Sequence, residues 1–316
     1  MAIGQACAKL ILLGEHAVVH HMPALALPLP QLQAQVWIET SESPGVLIEA
    51  PDLPALWELP EAPLASPDPL IETLVRALAE YGATWPDCTL RIESQIPVAR
   101  GLGSGTAVTA ALWRALSSWL NHFPSPEQTL DFVSGIDQIY HGRPSGIDAQ
   151  VIVRETPLWF HRSQGVRALP LPQPLHLLVA DTGLAAVTRT QVEIVADCLN
   201  AEPEKAQTWI REIGDLVQRA ESCLALNQIE PLGVLLNRNH ELLIQLGVSH
   251  PQLNTLCSAA RQAGALGAKL SGAGGGGVMV ALSEKAQSPS VKKALEQAGA
   301  TQVFEIDIPA TEVSHD

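Results

Sequence analysis

The stretch Pro97-Val-Ala-Arg-Gly-Leu-Gly-Ser-Gly-Thr-Ala-Val108 packs three glycines and two hydroxyl side chains into twelve residues. On its N-terminal side, "CTLRIESQI" alternates apolar Leu90, Ile92 and Ile96 with polar residues, the period of a strand that ends at Pro97. On its C-terminal side, "TAVTAALWRALSSWLNHF" carries apolar residues at helical spacing, with no breaker before Pro124. The glycines therefore stand at a strand-to-helix joint. Such a turn exposes backbone N–H groups at the positive end of the helix dipole, so its natural guest is an anion, above all a phosphate. Neither of the two common phosphate fingerprints fits. The dinucleotide pattern needs G-x-G-x-x-G and an acidic residue about 20 positions on, and no G-x-x-x-x-G-K-[ST] is present.

Working outward, the first 30 residues read as apolar strands around "GEHAVV", and "QAQVWIET" alternates as another. Prolines crowd positions 44 to 69, predicting a loop-rich insert; it ends at Asp68-Pro69, a cap and first-turn proline for the helix "LIETLVRALAEYG". A helix over Glu127 to Tyr140 leads into "HGRPSGIDAQ" and a predicted strand, "QVIVRETPLWF". The turn-rich segment near 163 to 174, with Pro170, Pro172 and Pro174, is the predicted boundary between domains 1–168 and 169–316. After it come the strand "LHLLVADTG", helices to about residue 264, paired strands in "AKLSGAGGGGVMVAL", a helix and a final strand. Strands and helices mixed without strict alternation predict an α+β protein of two domains.

A net charge of −14 excludes a general nucleic-acid or anionic-membrane partner, because both demand a basic surface. No apolar run reaches the roughly 20 residues of a membrane span, and "LILLGEHAVV" lacks the charged start and cleavage site of a signal peptide. The five cysteines are scattered, with no CxxC pair, and read as reduced thiols. The expected location is the cytoplasm.

Three further stretches carry chemistry. "KLILLGEHAVV" sets Lys9, Glu15 and His16 on or beside an apolar strand, where a charge costs several kcal/mol unless it is paired or functional. "HGRPSGID" ends a turn on Asp148, a fixed carboxylate. "KLSGAGGGGVMV" supplies Gly272 and Gly274 to Gly277, which let backbone approach another group with no side chain between.

In this order and at these separations, the motifs resemble the GHMP kinases, and within them the mevalonate kinases. The likeness runs through "KLILLGEHAVVHHMPALALPL", "IPVARGLGSGTAV", "HGRPSGIDAQV", "DTGLAAVTRTQVEIV" and "NHELLIQLGVSHPQLNTLCSAARQAGALGAKLSGAGGGG". It implies a two-domain GHMP-kinase fold: an N-terminal ATP-binding domain and a C-terminal ferredoxin-like domain. The implied reaction moves the γ-phosphoryl group of ATP to the 5-hydroxyl of mevalonate, with Mg2+ as the metal. By the same resemblance Asp148 accepts the hydroxyl proton and Lys9 stands near the transferred phosphoryl. Glu15, His16 and Thr188 contact the substrate. Gly101, Leu102, Gly103, Ser104, Gly105 and Thr106 cradle the ATP phosphates, and Ser271, Gly272, Ala273, Gly274 and Gly275 form the third, glycine-rich motif. His141 reads as structural. A homodimer is also implied.

The chain departs from the family pattern in four places. Cys7-Ala8-Lys9 replaces Pro-Gly-Lys, and Ser271 stands where threonine is common. The usual magnesium-binding serine is Gly105, and the usual glutamate is Asp137. The expectation is that Asp137 holds the ion while Ser104 or Thr106 supplies the missing oxygen. Other acceptors within the superfamily (a mevalonate 3-kinase, phosphomevalonate kinase, homoserine kinase or sugar kinase) and a non-catalytic metabolite sensor stay open. Lys9 and Asp148 argue against the sensor, which needs no proton acceptor.

Overall fold

The structure is a computed structural model describing all of the chain except residues 52–54, 64–65, 67, 142–144 and 312–316. In chain order it holds β1 (Ala2–Leu13), a single 3₁₀ turn (Ala17–His20), β2 (Ala24–Thr40), β3 (Val46–Ala50), β4 (Ala55–Leu59), α1 (Pro69–Glu80), β5 (Cys88–Ser94), α2 (Ser104–Trp119), α3 (Pro126–His141), α4 (Ile147–Arg154), β6 (Leu158–His161) and β7 (Gly165–Ala168). Then follow β8 (Leu175–Asp181), α5 (Thr188–Ala201), α6 (Pro203–Ala225), α7 (Ile229–Gln245), α8 (Pro251–Gln262), β9 (Gly267–Ser271), β10 (Val278–Leu282), α9 (Ser288–Gln297) and β11 (Gln302–Ile308). These form two compact units, the first from Met1–Ala8, Leu32–Pro97 and Gly103–Glu155, the second from Lys9–Gln31, Val98–Leu102 and Thr156–Asp316.

In the first unit, β2 pairs antiparallel with β5 through Ala34↔Ser94 to Thr40↔Cys88, β5 lies parallel to β3, and β3 and β4 form a hairpin. Helices α1, α3 and α4 pack around α2, whose Ala107, Ala110, Ala111 and Ala115 are buried. Small side chains there admit close backbone approach: a Cβ on Gly4 would stand 2.1 Å from the Ala111 carbonyl oxygen. The cap on α1 forms as the sequence predicts, with the Leu70 N–H donating to Asp68 Oδ1 at 2.9 Å and Pro69 in the first turn.

In the second unit, four strands lie antiparallel in the order β11-β8-β10-β9. With helices after β8 and β10 this is the ferredoxin-like arrangement expected for the C-terminal domain, its first crossover enlarged to four helices, α5 to α8. Helices α7 and α8 cover β9, and α9 covers β8 and β11.

Two sequence expectations are corrected. The proline-rich 44 to 69 segment is not simply loop, because it contains the β3–β4 hairpin. Val46, Ile48 and Ala50 are buried while Leu47 and Glu49 are half-exposed, a period-two pattern masked by flanking prolines. The predicted strand starting at Gln150 is instead the end of α4, which runs to Arg154 before β6 begins at Leu158. Gly146, at φ 84°, starts that helix, and Arg154 Nε donates to Gln150 Oε1 one turn away at 2.9 Å. Burial of Ile147, Val151, Ile152 and Val153 overrides the β preference of their branched side chains. Of the "HGRPSGID" turn, Gly142, Arg143 and Pro144 lie outside the described residues, as does the His141 side chain. Among the described residues, no helix is long and apolar enough to cross a membrane.

Candidate active site

In the first unit the glycine turn leads into α2 through Gly103, held at φ 74° as the helix cap. Its carbonyl accepts from the Ala107 N–H at 2.9 Å. The N–H groups of Ser104, Gly105 and Thr106 lie in the first turn, ahead of any carbonyl four residues back within the helix. Ser104 is half-buried and Gly105 exposed, so this turn is open to a ligand. One turn inside, the buried Thr106 hydroxyl donates to the Asp137 carboxylate of α3, at 3.0 Å to Oδ1 and 3.2 Å to Oδ2. Of the two hydroxyls expected near Asp137, Thr106 has this bond. Asp148 stands half-buried in the first turn of α4.

In the second unit, Lys9 is buried near the start of the apolar half of β1, and its N–H donates to the Leu102 carbonyl at 3.0 Å. Where β1 ends, Gly14 turns the chain at φ 106° and brings Glu15 and His16 inward. The Glu15 carboxylate is ion-paired with Lys269 of β9, and both side chains are essentially inaccessible. Lys269 Nζ also donates to the Leu270 carbonyl at 2.5 Å. Burial pushes Glu15 up and Lys269 down from their ordinary pKa values, while each partner's charge pulls the other back. Lys9 adds a further favourable field at Glu15. His16 Nε2 donates to the Ala273 carbonyl at 2.7 Å, which fixes the proton on that nitrogen. Burial pushes this imidazole down to about 4, so it is neutral at pH 7.

The third motif meets the first and second here. Ser271 Oγ donates to the Ile11 carbonyl at 2.9 Å. A Cβ on Gly272 would lie 3.3 Å from the Gly101 Cα. The glycines beyond it answer to protein rather than to open space: a Cβ on Gly274 would sit 2.0 Å from the Val248 carbonyl oxygen, and one on Gly275 would sit 2.2 Å from the Gln191 amide. Thr188 opens α5 and is exposed.

Lys269 is the residue the sequence reading missed. The signal was present, since "GAKLS" places a cation in an apolar strand just as "KLILL" does with Lys9. A second buried group, His240 of α7, accepts from the Leu270 N–H through Nδ1 at 3.3 Å and is likewise lowered to about 4, first by burial and then by the Lys269 charge. A cavity of about 640 Å³ in the first unit, walled by Tyr81, Trp113, Phe123 and Phe132, contains none of the expected site residues.

The two imidazoles give the fold a pH dependence of definite sign. Between about pH 4 and the ordinary 6.5, the unfolded chain binds protons that the folded chain does not, so stability rises with pH through this window and falls on acidification. Urea midpoints should drop from pH 7 to pH 4.5, and His240→Asn should flatten that slope. An unchanged slope in the variant would show that His240 is not neutral in the fold.

The family model described as "GHMP kinases N terminal domain" matches residues 69–154, and "GHMP kinases C terminal" matches residues 220–301. The mevalonate kinase of Thermococcus gammatolerans is 34% identical over 321 residues, covering 96% of this chain and 95% of the relative. That of Pyrococcus abyssi gives the same identity and coverage. The chain belongs to the mevalonate kinase family of GHMP kinases. Among solved structures, mevalonate kinase from L. major in complex with R-mevalonate superposes with a TM-score of 0.86 at 25% identity, over 99% of this chain and 97% of that one. Mevalonate kinase from methicillin-resistant Staphylococcus aureus is 30% identical, with a TM-score of 0.73 over 98% and 99% of the two chains. As a mevalonate kinase family member, the chain carries the glycine turn, buried Lys9 and first-turn Asp148 on the elements just described.

Proposed function

We infer that the chain is an ATP-dependent mevalonate kinase that transfers the γ-phosphoryl group of ATP to the 5-hydroxyl of mevalonate, giving 5-phosphomevalonate and ADP. The observation that carries this is near-full-length identity of about one third to mevalonate kinases, rather than a match confined to the ATP motif. Its two domains span 1–168 and 169–316. It acts in the cytoplasm, as a homodimer, on two small molecules and without nucleic acid or membrane.

Phosphoryl transfer asks mainly for alignment and charge neutralisation. Gly101 to Thr106 cradle the phosphates, the open first turn of α2 offering N–H donors and the positive end of a dipole. Gly272 of the third motif, Ser271 to Gly275, packs against Gly101 at the start of that loop. Glu15, His16 and Thr188 bind mevalonate; the neutral His16 can accept a substrate hydrogen through Nδ1 while Nε2 is tied to Ala273. Asp148 takes the hydroxyl proton, and Lys9 favours the developing negative charge on oxygen and phosphorus.

The donors around Asp137 suit Mg2+. The ion favours oxygen ligands, keeps several waters and is commonly held by one or two carboxylates plus substrate phosphates. Asp137 would hold it, with Ser104 or Thr106 supplying a hydroxyl oxygen, and when bound it neutralises charge on the triphosphate. Asp137→Ala should raise the Mg2+ concentration needed for half-maximal turnover by about 10-fold, roughly the lower end of losses for altered metal sites. Gly105→Ser should lower that requirement, because a Cβ at Gly105 meets nothing within 4 Å. Unchanged Mg2+ dependence in Asp137→Ala would sink the assignment.

The activity is tested by an ATP-dependent assay with mevalonate and a panel of other alcohols, followed by NMR of the product to locate the phosphate. A signal on the 5-oxygen is expected. No phosphorylation of mevalonate at any Mg2+ concentration would overturn the reading, and a phosphate on the 3-oxygen would correct the acceptor.

A further inference from the structure

We propose that Arg100 is a positioning residue whose guanidinium clasps the segment leading into the phosphate loop to the loop entering Thr188, so that nucleotide and mevalonate binding reinforce each other. This rests on the chain being a mevalonate kinase.

The clasp has several independent bonds. Arg100 Nε donates to the Asp181 carboxylate at 2.9 Å, and its Nη2 donates to the Gly183 carbonyl at 3.0 Å. Asp181 is itself fixed, since its Oδ1 accepts from the Gly183 N–H at 2.8 Å. The fork therefore grips both ends of one tight turn. Beside it, the Ala186 N–H donates to the Ala99 carbonyl at 2.9 Å. Ala99 has a φ of 57°, a left-handed conformation that a residue with a Cβ keeps only when its surroundings hold it there.

A third segment closes the arrangement. The Gly277 carbonyl accepts from the Thr182 N–H at 3.0 Å and from its hydroxyl at 2.7 Å, while the Gly277 N–H donates to the Leu184 carbonyl at 2.8 Å. A Cβ on Gly277 would lie 2.7 Å from the Arg100 carbonyl oxygen, so the glycine run abuts the same arginine. Ala99 and Arg100, which lead into the phosphate loop, and the segment running into Thr188 are thus one bonded assembly. Ordering it by one ligand lowers what the second must spend to order it, and the coupling is reciprocal by linkage. Arg100 suits this task because its planar fork reaches a carboxylate and a carbonyl together, which a single ammonium does less well. The arginine side chain is 20% exposed, and with Arg100 replaced the Asp181 carboxylate still accepts from the Gly183 N–H. Its loss should therefore leave the fold intact.

The test measures R-mevalonate affinity of the full chain by calorimetry, with and without a saturating non-hydrolysable ATP analogue. In the unaltered chain the analogue should tighten mevalonate binding by about 5-fold or more, the lower range of allosteric coupling. Arg100→Gln should bring that ratio to within about 2-fold of unity, with each ligand alone still binding, and Arg100→Lys should fall between. A structural role alone would shift the melting temperature and leave the ratio standing, which would overturn the proposal, as would a ratio of unity in the unaltered chain. Hydrogen exchange in that same chain adds a readout that needs no variant. The Ala186 amide should exchange more slowly once the analogue binds, and an unchanged rate would overturn the clasp. Failure of the unaltered chain to bind mevalonate at all would instead refute the mevalonate kinase reading, and the clasp with it.

Discussion

Asp148→Asn is expected to lower turnover by about 10²- to 10⁴-fold, the usual worth of a positioned acid or base, with the KM for either substrate changed far less. Asparagine matches aspartate in shape and keeps an oxygen acceptor, but it cannot take a proton from the alcohol. The substitution falls in the first turn of α4, where the side chain is half-buried and the packing face of the helix is carried by Ile147, Val151 and Ile152. The melting temperature should consequently stay close to that of the parent, and steady-state kinetics at saturating ATP and Mg2+ isolates the chemical role. A loss below about 10-fold would remove Asp148 as the general base. Transfer would then rest on alignment and charge neutralisation by Lys9, the phosphate loop and the metal.

Lys269→Met should destabilise the protein by about 3–5 kcal/mol, the range for stripping one partner from a buried ion pair. Methionine fills a volume near that of the lysine stem, so cavity formation is a minor part of the cost. The main part is Glu15. Its carboxylate, 1% exposed, would lose the ammonium that offsets its desolvation, and its Oε2 already has no hydrogen-bond partner among the described residues. The double variant Lys269→Met with Glu15→Gln should recover a large share of that stability, since no charge is then left uncompensated. Urea unfolding of the two single variants and the double closes the cycle. Strict additivity, or a single-variant loss below about 1 kcal/mol, would show that the pair does not carry this coupling. Because Glu15 adjoins His16 and the Gly14 turn, the kinetic expectation for Lys269→Met is a raised KM for mevalonate.

The elements legible in the sequence are those whose signals are local. Asp68-Pro69 gave the start of α1, the alternation in "CTLRIESQI" gave β5, and the unbroken helical spacing after Thr106 gave α2. Local signals failed where two preferences compete within a few residues. Branched residues in Gln150–Arg154 favour a strand by propensity, yet the α4 face packs best as a helix. Prolines around Val46–Ala50 favour loop, yet the strand is completed by partners from β4 and β5.

The same division runs through the site. The family was legible in motif order along the chain, and the glycine turn at a helix start, on which the proposed phosphate loop rests, is a consequence of local sequence. Partnerships were not. That Glu15 meets Lys269, 254 positions away, that His16 answers to the carbonyl of Ala273, and that Thr106 bonds Asp137 depend on which strands and helices lie side by side. Burial of a charge is visible in sequence as a cost, but its compensation is a matter of distance in space, and only the tertiary structure supplies that distance.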